Sequence, residues 1–170
     1  MIVDGARTPI GRFGGTLQNM TAADIGVVAA KAALAKAGVQ AEEIEDVIFG
    51  HARQAGCGPN VPRQIAVRAG IPASVPAFGV QQACVSGMQA TVLGYQRILL
   101  GDDDIVLTGG VEHMSSIPFL SMDTRWGNRL GDTKLLDAMY KDGYICALKQ
   151  AHMGELTDDL AKELGISREE

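Results

Sequence analysis

Residues 76–110 read PAFGVQQACVSGMQATVLGYQRILLGDDDIVLTGG, and this stretch decides the fold class. Residues 76–83 read as an internal strand. The run from Ser86 to Leu100 follows without a proline, and Gly101 stands where a helix ends in a left-handed turn. Ile105-Val106-Leu107 is a second short apolar strand, ending in Thr108-Gly109-Gly110. The intervening helix is apolar nearly all round, the pattern of a buried helix. Strand, helix and strand in that order make a βαβ unit, and hence a parallel sheet with helices packed on its faces.

Working towards the N-terminus, Pro62 suits the first turn of a helix that runs to Gly70, and Val47-Ile48-Phe49 reads as another short strand. Thr21 and Asp24 form a capping-box pattern. Ile25, Val28, Ala29, Ala32, Ala33 and Ala37 then recur at helical spacing up to Gly38. Residues 5–20 carry four glycines and a proline and read as a loop, and Met1–Val3 reads as the end of a strand. Working towards the C-terminus, the periodic pattern dissolves after residue 111. A short helix is expected near Leu135–Tyr140 and a last one from about Ala151 to Leu164, stopped by Gly165. Ser167 with Glu170 is a further capping box that no helix follows, which is expected of a truncated chain.

Composition narrows the function. At 170 residues with 46% apolar and 21% charged, the chain is long enough to bury a core and is neither disordered nor fibrous. The balance of 15 basic against 20 acidic residues gives a net charge of −5, with no basic run. Nucleic acid and anionic membranes are therefore not expected partners. The three cysteines are far apart and form no CxxC pair, so neither a zinc knuckle nor a disulfide framework is expected, and no metal site. With no leader pattern and no long apolar run, a soluble cytoplasmic protein is expected. Gly14-Gly15 and Gly109-Gly110 fit neither dinucleotide nor phosphate-loop spacing.

Cys84 is the leading catalytic candidate. It stands between a strand and the N-terminus of a helix, where unpaired N–H groups and the helix dipole favour an anion on sulfur. The competing reading is an inert core thiol, the commoner fate of a free cysteine. Cys57, in a glycine-rich loop with no acid or base beside it in the sequence, and Cys146, in irregular sequence, read as ordinary thiols. Three histidines are available as a base: His51 after a strand end, in a loop or at an edge; His113 at the carboxyl end of the next strand; and His152 at the start of the last helix. Spacing does not choose between them. Glu112 reads as a structural carboxylate.

The segments ARTPIGRFGG (6–15), ACVSGMQA (83–90), GGVEHMS (109–115), RWGNRLG (125–131) and HMG (152–154) occur in the order found in thiolases, the acetyl-CoA acetyltransferases. The chain resembles the N-terminal half of that family along its whole length. The resemblance implies a thiolase-like α/β fold: a mainly parallel sheet with helices on both faces and an irregular loop region. It divides the chain into a core over 1–111, a loop region over 112–150 and a returning helix over 151–170. It also implies acyl transfer between a 3-ketoacyl-CoA and CoA, or condensation of two acyl-CoA molecules, through an acyl group on Cys84. His152 and Met153 match residues that line the acyl and pantetheine pocket. Coenzyme A thioesters are then substrates and no separate cofactor is implied. Residues 125–131 match part of a loop that joins family members into tetramers.

The family's second half carries a further histidine and cysteine, so this chain alone is expected to be inactive without that half. Alternatives are a non-catalytic fragment of a split or truncated thiolase, and a related 3-ketoacyl synthase. The sequence departs from the family at Gln81, where asparagine is usual, at His113, where serine is usual, at Leu156-Thr157-Asp158 and over residues 144–151.

Overall fold

The computed structural model describes residues 1–169; the expected capping box of Ser167 with Glu170 therefore lies partly outside the described residues. The chain forms two compact units, residues 1–116 and the segment from Ile117 onward.

The first unit is an α/β layer. Its strands β1 (Asp46–Gly50), β2 (Ala77–Val80) and β3 (Val106–Gly110) make a parallel sheet in the order β2-β1-β3. Helices α1 (Ala22–Ala37), α2 (Val61–Ala69) and α3 (Ser86–Leu100) complete it. The connection through α2 steps from β1 to one side, and the connection through α3 steps back across β1 to the other. With right-handed crossovers this places α2 and α3 on opposite faces. All five residues of β1 are buried, as a central strand covered on both faces requires.

Local signals in the sequence set the helix ends. The Thr21 hydroxyl accepts from the Asp24 N–H while the Asp24 carboxylate accepts from the Thr21 N–H, closing the expected capping box. Gly38, Gly70 and Gly101 end α1, α2 and α3 in the left-handed conformation. The core runs from Ala30 and Leu34 of α1 through Val47 and Phe49 of β1 to Ile65 and Ala66 of α2. At the amino ends of the strands, Arg97 of α3 pairs with Asp46 and Asp103, both buried carboxylates. Burial raises the Asp46 carboxyl pKa above its usual value, opposed by a backbone hydrogen bond and by Arg97.

Three expectations are corrected here. Met1–Val3 forms no strand and is exposed; Lys36 holds the following Gly5 carbonyl at 3.1 Å in place of a ladder partner. A cavity of about 680 Å³ runs between this segment, α1, the outer edge of β3 and α3. Helix α3 is not buried all round. It buries Ser86, Ala90 and Gly94 against the sheet, while Met88, Val92, Tyr95 and Leu99 lie exposed along its other side. An apolar face buries only where a neighbour covers it, and within the first unit the sheet covers one face of α3. The short helix expected near Leu135–Tyr140 is displaced: Leu136–Asp137 is a strand, and helical turns begin only at Ala138.

In the second unit, β4 (Phe119–Leu120) pairs with β5 (Leu136–Asp137), and β6 (Ile145–Cys146) pairs with β7 (Ala151–His152), both antiparallel. A single wide helical turn covers Tyr140–Tyr144, and α4 (Met153–Leu164) ends at Gly165 as expected. Pairing of Leu136 and Asp137 with β4 competes with the helix that their local sequence favours.

Candidate active site

The three parallel strands end on one edge of the first unit, where α/β sheets place their chemistry. Beyond β1 comes His51, beyond β2 the turn Gln81–Val85, and beyond β3 Glu112 and His113.

Cys84 sits in the turn between β2 and α3 and is exposed, so the inert-core reading does not hold. The turn is tightly built. Ala83 adopts φ +48°, a left-handed conformation that costs an alanine roughly 1 kcal/mol. Its N–H donates to Gln81 Oε1 at 2.9 Å, so the glutamine that departs from the family pattern braces the turn directly. Ser86 closes the other side: its hydroxyl donates to the Ala83 carbonyl at 2.6 Å and accepts from the Gln82 N–H at 2.8 Å. Val85 occupies the cap position of α3 and has no side-chain acceptor, so the first-turn amides of α3 carry no side-chain cap.

The close seat of α3 depends on Gly50, the last residue of β1. A Cβ there would fall 2.3 Å from the Gly87 nitrogen and 2.3 Å from the Ser86 carbonyl carbon. Backbone packs on backbone at this point, and the start of α3 rests on the end of β1.

His51 opens the loop after β1, as expected, but is buried there. Its N–H donates to the Val80 carbonyl at 3.0 Å, extending the β1–β2 pairing to the last residue of β2. Its ring faces inward, with Nε2 3.3 Å from Glu112 Oε1 and 3.9 Å from Cys57 Sγ. Burial lowers the His51 pKa, opposed by the Glu112 charge. Burial also raises the Cys57 thiol pKa, and Glu112 pushes it further the same way. Cys57 therefore does have a base and an acid beside it, which its sequence neighbours did not show. The loop from 51 to 58, turned at Gly56 and Gly58, folds back to bring them together.

Glu112 also accepts the N–H groups of Ala52 and Arg53, each at 3.0 Å, in keeping with a structural carboxylate. His113 is buried and pairs through Nε2 with the Leu17 carbonyl at 3.0 Å, while Ser115 Oγ accepts the Gly14 N–H. Together they tether the glycine-rich loop of residues 5–20.

A family model described as the thiolase N-terminal domain matches residues 1–170. The chain belongs to the thiolase family. It is 45% identical to an acetyl-CoA acetyltransferase of Cupriavidus necator over 99% of its own length and 43% of that protein's. It is 41% identical to an acetyl-CoA acetyltransferase of Syntrophomonas wolfei, over 100% of the chain and 43% of the relative. A probable acetyl-CoA acyltransferase of Staphylococcus aureus is 42% identical over 96% of the chain and 42% of the relative. This thiolase chain thus spans less than half the length of the curated relatives it matches.

In the second unit of this thiolase chain, His152 caps α4: its Nδ1 accepts the Gly154 N–H at 3.0 Å, which puts the proton of the neutral ring on Nε2. Tyr140 and Tyr144 stand beside the ring, with centroids 6.3 and 5.9 Å from it. Sequence reasoning did not single out these two tyrosines. Met153 follows, about half exposed. Among the described residues no cluster of three or more histidine, cysteine or acidic side chains is arranged to hold a metal, and no helix is long and apolar enough to cross a membrane.

Proposed function

We propose that this chain carries the nucleophilic half of a thiolase active site, with Cys84 as the residue that takes up the acyl group. The observation that carries this reading is the exposed Cys84 thiol, held on a braced turn ahead of the uncapped N-terminus of α3.

In the degradative direction the Cys84 thiolate attacks the keto carbon of a 3-ketoacyl-CoA. The adduct collapses with cleavage of the bond between the α and β carbons. The departing acetyl-CoA carbanion takes a proton and leaves, and the acyl group stays on sulfur as a thioester. The thiolate of a second CoA attacks that thioester, a shorter acyl-CoA departs, and Cys84 is released. Condensation of two acyl-CoA molecules is the reverse. Both tetrahedral adducts place negative charge on oxygen, and this reading assigns the Cys84 N–H as one of its donors. Coenzyme A thioesters serve as substrates in this cycle, without a separate cofactor. His152, with its Nε2–H donor, and Met153 line the acyl and pantetheine pocket.

The proton shuttle comes from outside these residues. In this reading the catalytic unit includes a C-terminal thiolase half that covers the apolar side of α3 and supplies a histidine and an acid–base cysteine. The complete enzyme is a cytoplasmic homotetramer of fatty acid metabolism. The test is loss of acetoacetyl-CoA in the presence of CoA. The 170-residue chain alone is expected to show negligible turnover, and robust turnover by it overturns the requirement for a second half.

A further inference from the structure

We infer that Glu112 and His51 act together as positioning residues for Cys84, an inference that rests on the reading of Cys84 as the acyl acceptor. The Glu112 carboxylate serves donors from three consecutive residues: His51 Nε2 at 3.3 Å, Ala52 N–H at 3.0 Å and Arg53 N–H at 3.0 Å. It thereby clamps the chain that leaves β1 onto the chain that leaves β3.

The clamped segment is also tied to the nucleophile's turn on both sides. His51 N–H donates to the carbonyl of Val80, four residues before Cys84. Gly50 lies against Ser86 and Gly87, the residues that open α3 just after Cys84. Any shift of residues 50–51 therefore moves both ends of the five-residue turn. The geometry at an attacking sulfur tolerates little such movement, because a displacement of about 1 Å can cost up to a hundredfold in rate.

The buried ring is held in one role. Neutral His51 with its proton on Nε2 donates to Glu112, and the same N–H faces Cys57 Sγ at 3.9 Å. The Cys57 thiol has its own acceptors, the carbonyls of Arg53 at 3.7 Å and Ala55 at 3.8 Å. Cys57 is thus peripheral to the clamp. His51 and Glu112 touch no reacting atom in this scheme; they act through the backbone that carries Cys84.

The experiment compares two reactions of Cys84, with the C-terminal thiolase half present, in the wild-type chain and in Glu112→Gln, His51→Ala, His51→Gln and Cys57→Ser. Acetyl uptake from acetyl-CoA depends on geometry, and alkylation by iodoacetamide depends mainly on an accessible thiol; both are read on the Cys84 peptide by mass spectrometry. Glu112→Gln keeps the shape but offers a single acceptor oxygen to three donors, and His51→Ala removes the ring. Each is expected to slow acetylation about tenfold while alkylation changes less than about twofold. His51→Gln, whose amide can still donate to Glu112, is expected to restore most of the rate, and Cys57→Ser to leave it near wild type.

Cooperative thermal unfolding checks that each variant is folded. Equal slowing of both reactions, or loss of the fold in Glu112→Gln and His51→Ala alike, assigns the pair a purely structural role and overturns the inference. So does unchanged acetylation in both variants. If wild-type Cys84 takes up no acetyl group, the functional reading fails first and takes this inference with it.

Discussion

The His51 imidazole and the Glu112 carboxylate, which follow the ends of two adjacent parallel strands, meet at 3.3 Å beneath the loop that carries Cys57. Burial lowers the histidine's pKa below its ordinary value of 6.5 despite the neighbouring charge. The unfolded chain then binds a proton at His51 more readily than the folded one, so stability rises with pH through this window. The wild-type unfolding midpoint is expected to fall as the pH is lowered from about 7 to about 5, and this slope is expected to flatten in His51→Gln. Thermal denaturation across that range checks it; parallel slopes in the two proteins contradict it.

The left-handed backbone at Ala83 makes the turn before Cys84 a site of stored strain. Ala83→Gly relieves the Cβ clash but gains entropy in the unfolded state, so stability is expected to change by less than about 1 kcal/mol. Ala83→Val places a β-branched side chain in the same conformation and is expected to cost about 1–3 kcal/mol. Denaturant unfolding of the two variants measures both effects.

Gly50 is the closest approach of sheet and helix at the site. Gly50→Ala would put a methyl group 2.3 Å from backbone atoms of Ser86 and Gly87, which no side-chain rotation relieves. A destabilisation of about 2–3 kcal/mol is expected, together with slower acetylation of Cys84 as α3 is pushed away. Gly38→Ala, at a helix end with open space around it but φ +67°, is the control for a purely conformational cost. It is expected to lower stability by about 1 kcal/mol without affecting Cys84.

Asp24 accepts from the Thr21 backbone and hydroxyl and pairs with Arg68 of α2, and these contacts hold its carboxyl well below the usual range. A depressed carboxylate stabilises the fold above its unfolded value of about 3.8, and that contribution is lost as the pH falls through the folded value. Asp24→Ala is expected to lower the unfolding midpoint by a few degrees at neutral pH. The gap between variant and wild type is expected to close as the pH drops below about 4. A gap that is constant down to acidic pH contradicts the assignment.

The fold of the first unit was legible because its signals are local. The Thr21–Asp24 box, Pro62 near the start of α2 and the glycines at 38, 70 and 101 each mark an element end through backbone chemistry confined to a few residues. Cys84 was legible for the same reason, since the strand before it and the helix after it can both be read nearby. The His51–Cys57–Glu112 cluster was not, because it depends on which strands lie side by side. Pairing of β1 with β3 brings Glu112 to His51, and no periodicity encodes that neighbour. The exposed side of α3 was misread because an apolar pattern records what a helix is suited to bury, not whether this chain supplies the surface that buries it. In the second unit the strands are two residues long, below the reach of any periodic pattern.

The most direct measurement is the site and number of acetyl groups on the chain, with the C-terminal thiolase half present, after incubation with acetyl-CoA, read by intact mass and peptide mapping. The expected result is a single hydroxylamine-sensitive acetyl group on Cys84, none on Cys57 or Cys146, and no label in Cys84→Ser. A wild-type chain that leaves Cys84 unmodified, or that acetylates Cys57 or Cys146 as readily, contradicts the assignment of Cys84 as the acyl-accepting nucleophile.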